Sequence, residues 1–212
     1  MVQHLRFAKV PLAKAIQLYR INIPVSQVLY GALHGYEIAF RNSMHDQLKA
    51  YFGQENWYDA APLDGTHRDM VANAGSNCGT AYVPVGKIIA ELPLGFWTGL
   101  VAARYEQSLW VPCLRKAFPN STMPRAKRYP VLCDIKALRN RVAHHERILG
   151  RKERLYAGLH PIHRTELSLP PETVPDCIEW ICKDTAQWVR TAAQFQNCLT
   201  LLDSPPANDL QI

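Results

Sequence analysis

A stripe of large apolar residues most constrains what this chain can fold into: Val25, Leu29, Leu33, Tyr36, Phe40, Met44 and Leu48 recur at spacings of three and four between Pro24 and Phe52. Only a helix puts positions with that spacing on one face. The pattern therefore predicts one long amphipathic helix, with Pro24 in its first turn and Gly53 at its end. Within it Glu37 and Arg41 stand four apart, the spacing of a structural ion pair, and His34 and His45 read as structural. A strand would need apolar residues alternating with a period of two, and no such run of any length appears.

Helical readings continue down the chain. Residues 57–86 are rich in Gly, Asn, Asp and Pro, which predicts a loop, a short helix around His67 to Ala74, and a second loop before Lys87. A second long helix is expected from near Pro93 to Phe118, broken or kinked at Pro112. Pro130 should open a third, running to about Leu149 and stopped by Gly150, and a last helix should span Thr173 to Leu202. The fold class this predicts is all-α, with residues 1–203 as a single domain and 204–212 as a frayed tail. No internal repeat and no Gly-rich phosphate loop is visible.

Composition narrows the class. At 48% hydrophobic and 20% charged residues, with five Trp and nine Tyr, the chain can bury a core and is not of the disordered type. Its longest apolar run, Leu92 to Ala103, is twelve residues, where a bilayer span needs about 20. Arg6, Lys9 and Lys14 interrupt the amino-terminal apolar residues, so no secretion signal is expected and the cytoplasm is the expected location. The six cysteines form no CxxC pair, which suits reduced, mostly buried thiols. Cys177 and Cys182, five apart, would not stack on one helical face as a zinc half-site.

The net charge of +6 is unevenly distributed. Between Arg115 and Arg154 there are 12 basic residues against three acids, so the rest of the chain carries a net −3. Such a concentration suits a surface that meets a polyanion, and it equally suits a solvated basic face. Arg125, Lys127, Arg128, Arg141 and Arg147 are its candidate phosphate contacts.

Inside that stretch lies DIKALRNRVAHHERILGRKER, residues 134 to 154. At 100° per residue from Ile135, the residues Ile135, Leu138, Val142 and Leu149 fall within one narrow stripe. His145 lands beside the stripe, as a core-edge histidine. Asn140 and His144 land on the opposite face, one turn apart, with Arg139 on the flank. Those types can act on an RNA phosphodiester: an imidazole relays a proton near neutral pH, a guanidinium forks onto phosphate, and an amide orients either partner. No nearby carboxylate trio would hold Mg²⁺.

Arg139-Asn140-Arg141-Val142-Ala143-His144 resembles the Arg-Asn-x-x-x-His motif of HEPN domains, and LRNRVAHHERIL resembles their Abi-like (abortive infection) branch. YGALHGYEIAFRNSMHDQL resembles the early helix of that family with its Glu and Arg, and ELPLGFWTGLVAARYEQSLWVPCLRKAFP its Leu-Pro-Phe-Gly-Phe-Trp segment, with Leu94 where an aromatic is more usual. The resemblance implies a HEPN-like bundle of long amphipathic helices. It implies a homodimer whose motif helices meet in one composite, metal-independent endoribonuclease site with no cofactor. It also implies a setting in phage defence or a toxin–antitoxin pair, with an antitoxin or a phage-derived trigger as partner. On it, Arg139 and His144 are the catalytic pair and Asn140 the polar residue beside them. Two alternatives stand: a HEPN module that binds RNA or a partner protein without cleaving, and a metal site built on His144, His145, His160 and His163, which lacks a cysteine at ligand spacing.

Overall fold

A computed structural model of the chain describes residues 12–79, 83–146, 148, 173–192 and 194–197. Among them there is no strand and seven α-helices occur: α1 (Leu12–Phe52), α2 (Gly65–Asn77), α3 (Val85–Glu91), α4 (Leu94–Gly99), α5 (Arg125–Ala143), α6 (Thr173–Glu179) and α7 (Lys183–Thr191). Short 3-10 turns at Trp57–Asp59, Ala103–Tyr105 and Leu114–Ala117 and a π turn at Glu106–Trp110 fill the connections. The fold is all-α.

The long helix is α1, 41 residues and so roughly 60 Å at 1.5 Å per residue. Every residue of the predicted stripe, from Val25 to Leu48, is at most 2% exposed. Around that stripe gather α4, α5, α6 and α7 and the turns at Trp57–Asp59 and Leu114–Ala117. The buried apolar residues form one contiguous cluster from Val25 to Phe195. Gly53 ends α1 as expected, at φ +73° with its N–H on the Lys49 carbonyl, 2.9 Å. Pro24, by contrast, lies inside the helix. The hydrogen bond it deletes costs about 3 kcal/mol, offset by complete burial of Val25 and Leu29 on its carboxyl side.

Between α1 and α4 the chain is more helical than its composition suggests. Asp64 caps α2 by accepting the His67 N–H at 2.9 Å, and α2 extends past the predicted Ala74 to Asn77. Trp57 is fully buried and its Nε1–H donates to His45 Nδ1 at 2.9 Å, giving His45 the structural role expected of it.

The expected helix from Pro93 to Phe118 does not form as one piece. It breaks after Gly99, and Ala102 is extended (ψ 157°). From Leu94 to Ala102 no residue is exposed, with Phe96, Trp97, Leu100 and Val101 at most 1% exposed, so burial there rewards no single face and does not enforce regular winding. Gly99 lies against the ring of His67, where an added Cβ would sit 2.5 Å from Nε2.

Two further boundaries differ. Helix α5 begins after Pro124, with Pro130 in its interior, and stops at Ala143 rather than Leu149. His145 adopts φ +56°, its N–H reaches the Val142 carbonyl at 3.2 Å, and the Glu146 N–H reaches the Arg141 carbonyl at 2.9 Å. This pair of bonds closes a helix through a left-handed residue, a position glycine usually fills. The expected last helix is two, because the chain turns at an extended Cys182. There the Asn120 backbone donates to the Trp180 carbonyl and its side chain to the Ile181 carbonyl. Leu149, residues 198–202 and the tail 204–212 lie outside the described residues.

Candidate functional site

Helices α1 and α5 pack together, and where they meet Arg139 Nε donates to Glu37 Oε1 at 2.5 Å. Both side chains are partly exposed, 39% for Arg139 and 28% for Glu37. Glu37 thus serves Arg139 instead of the expected Arg41, which reaches toward the Asn42 side chain and the Ala90 carbonyl. Asn140, in the last turn of α5, is exposed, as its angular position predicted, and His144, just past the end of the helix, is exposed too.

An open pocket of about 100 Å³ lies at this crossing, lined by Tyr30, Leu33, His34 and Glu37 of α1 and Arg139, Val142 and Ala143 of α5. His144 follows directly as the cap of α5, its N–H on the Asn140 carbonyl at 2.9 Å. The carboxyl end of a helix carries partial negative charge. Affinity for a phosphate here has to come from side-chain cations, Arg139 first.

The chain leaving the motif is tied back to α1. Asn22, 5% exposed, accepts the Ile148 N–H at 2.7 Å through Oδ1, and its Nδ2 approaches the Glu146 carbonyl at 3.5 Å. Ile148 is fully buried. This clamp fixes the path of the backbone just after His144 and His145. Sequence reasoning missed it because Asn22 lies 126 residues from its partner.

Three predicted phosphate contacts turn inward instead. Arg128 is 1% exposed, with its guanidinium 4.2 Å from the Phe118 ring centre and 5.0 Å and 5.7 Å from those of Trp180 and Trp110. It donates to the Met123 carbonyl at 2.8 Å and to Ser121. Burial pulls its pKa down to about 10. Arg141 is 7% exposed. Arg125, 10% exposed in its side chain, pairs with Glu106 at 3.2 Å and donates to the Val101 carbonyl. A planar guanidinium stacks on rings and bridges carbonyls, so it serves inside a core as readily as on a phosphate. Lys127 is exposed, and Arg147 lies outside the described residues.

The histidines also need sorting. His145 is exposed and stands off the core stripe because the helix has already ended, which corrects the core-edge reading. His34, read as structural, is exposed and lines the pocket. A signal for it was present in its place three residues before Glu37, but nothing in the sequence names the partner of Glu37. His160 and His163 lie outside the described residues, among which no cluster of three or more metal-ligating side chains occurs. Among the same residues no helix is long and apolar enough to cross a membrane, and the cysteines are unpaired, Cys78, Cys113 and Cys177 being buried. Comparison of the chain with protein-family models, with curated proteins and with solved structures finds no match.

Proposed function

We propose that this chain is a metal-independent endoribonuclease of a phage-defence or toxin–antitoxin system, acting as a homodimer in the manner its HEPN resemblance implies. In the reaction a ribose 2′-hydroxyl loses its proton and attacks the adjacent phosphorus. The bond to the 5′-oxygen breaks, that oxygen takes up a proton, and the products end in a 2′,3′-cyclic phosphate and a 5′-hydroxyl. Arg139 offsets the negative charge that builds on the phosphoryl oxygens. His144 moves a proton, and Asn140 orients the phosphate or the imidazole. The observation that carries this reading is the Glu37–Arg139 pair, which holds a half-exposed guanidinium at the mouth of an open pocket beside exposed Asn140 and His144.

The dimer draws support from α1. Ile16, Ile23 and Tyr30 recur every seventh residue and are 50%, 55% and 62% exposed, an apolar row continuous with the pocket through Tyr30. The test is cleavage of total RNA by pure protein in EDTA. Cutting should persist, leave cyclic phosphate ends, and vanish in Arg139→Ala and His144→Ala without loss of folding. Strict dependence on Mg²⁺ with 5′-phosphate products would sink the mechanism.

A second reading has its own observation. Glu37 neutralises Arg139, and Arg125, Arg128 and Arg141 are committed to internal partners or burial, which leaves fewer cations for RNA. That arrangement suits a module that binds a partner without cutting. Salt-insensitive binding and inert behaviour on mixed RNAs would select it.

A further inference from the structure

We infer that His34 is the second proton-transfer residue of this site, working in the same subunit as His144; the inference rests on the ribonuclease reading above. Transfer through a 2′-hydroxyl moves two protons. One leaves the 2′-oxygen as its bond to phosphorus forms, and one arrives on the 5′-oxygen as the old bond breaks. The end of the motif helix offers His144, its cap, and His145, which follows in a left-handed turn; both are exposed, and neither lines the pocket that holds Arg139. Of the remaining described histidines, two already have partners inside the fold. His45 accepts from Trp57, and His67 is 2% exposed and bonded to Asp64.

His34 differs from both. It is exposed and makes no hydrogen bond or ion pair among the described residues. It lines the same pocket as Arg139, and it stands one turn before Glu37, on the side of α1 that meets the motif helix. A phosphate engaged by Arg139 would therefore meet an imidazole from α1 and approach another from the end of α5. The groups that face His34 are Glu37 and Tyr30 on its own helix and Arg139 across the pocket. With one imidazole as base and the other as acid, protons balance over a turnover, and water returns the pair to its starting state.

Kinetics of the full-length protein on a defined oligoribonucleotide test this, with His34→Ala compared against His34→Gln and His144→Ala. Being exposed, His34 can be replaced with the unfolding midpoint unchanged. His34→Ala and His34→Gln should each lower kcat by about 10²–10⁴-fold, with KM within about threefold of the wild type. A substrate with sulfur in place of the 5′-bridging oxygen leaves without a proton, so it should restore the rate of one of the two histidine variants and not of the other. A His34→Ala enzyme within about twofold of wild-type kcat overturns the inference, as does a rise in KM at constant kcat, which would assign His34 to binding alone. Rescue of both variants or of neither would also overturn it. An inert wild type overturns the nuclease reading itself, and this inference with it, whereas the outcomes above leave that reading standing.

Discussion

Single residues in this chain show how one side chain serves opposite ends. Arg128 and Lys127 are neighbours in the same basic stretch, yet one is 1% exposed among three aromatic rings and the other is on the surface. Arg128→Ala should lower stability by about 3 kcal/mol or more, since it removes the contacts of a buried side chain and the donor of the Met123 carbonyl. Lys127→Ala should change it by no more than about 0.5 kcal/mol, and denaturant titration of the two variants separates these outcomes. Asp64 gives a pH signature. It accepts the His67 backbone N–H, then bonds the His67 ring, with Arg104 nearby, and its pKa falls to about 2. A depressed carboxylate contributes stability that is fully present above the ordinary value of about 4 and disappears as pH falls through about 2. Asp64→Asn should therefore lower stability at neutral pH and flatten its acid dependence over that window, read by denaturant titration at several pH values.

At the scale of elements, the periodicity of α1 was legible because its burial is one-sided, and all seven stripe residues are in the core. Boundaries were legible only where local geometry decides them, as at Gly53. The end of α5 was not. The apolar spacing of Ile135, Leu138 and Val142 continues on paper to Leu149, but the backbone turns at His145, and the buried residue beyond the turn is Ile148, held by Asn22. A non-glycine residue in the left-handed region costs about 1–2 kcal/mol. His145→Gly should therefore raise stability by about 1 kcal/mol, read as a higher melting temperature, with the fold unchanged. A loss of stability would show that the imidazole has a packing role after all. The break after Gly99 was not legible either: from Leu94 to Ala102 no residue is exposed, so there is no face for a helical period to mark.

Across the whole molecule, α1 is the axis on which the site and the proposed assembly both depend. Its inner face fills the core. Glu37 and His34 line the pocket with α5, and Ile16, Ile23 and Tyr30 leave an apolar row open. Sedimentation of the pure protein should show a dimer at micromolar concentration, and Ile23→Glu should shift it toward monomer without altering the helical content. An active species that is strictly monomeric at assay concentrations would end the composite-site idea.

The amino-acid order by itself determined the all-α class, the buried face of α1, the stop at Gly53, and the outward placement of Asn140. These follow from steric rules and from periods of a few residues, which act within one helix. Tertiary structure alone decided that Glu37 serves Arg139 across 102 positions, that Asn22 holds the chain after the motif, and that Arg125, Arg128 and Arg141 turn inward. Charge counted along a chain carries no direction. A guanidinium finds aromatic rings, carbonyls or carboxylates only once distant elements bring them within about 3–6 Å, and whether a cation faces solvent or the core is settled at that distance.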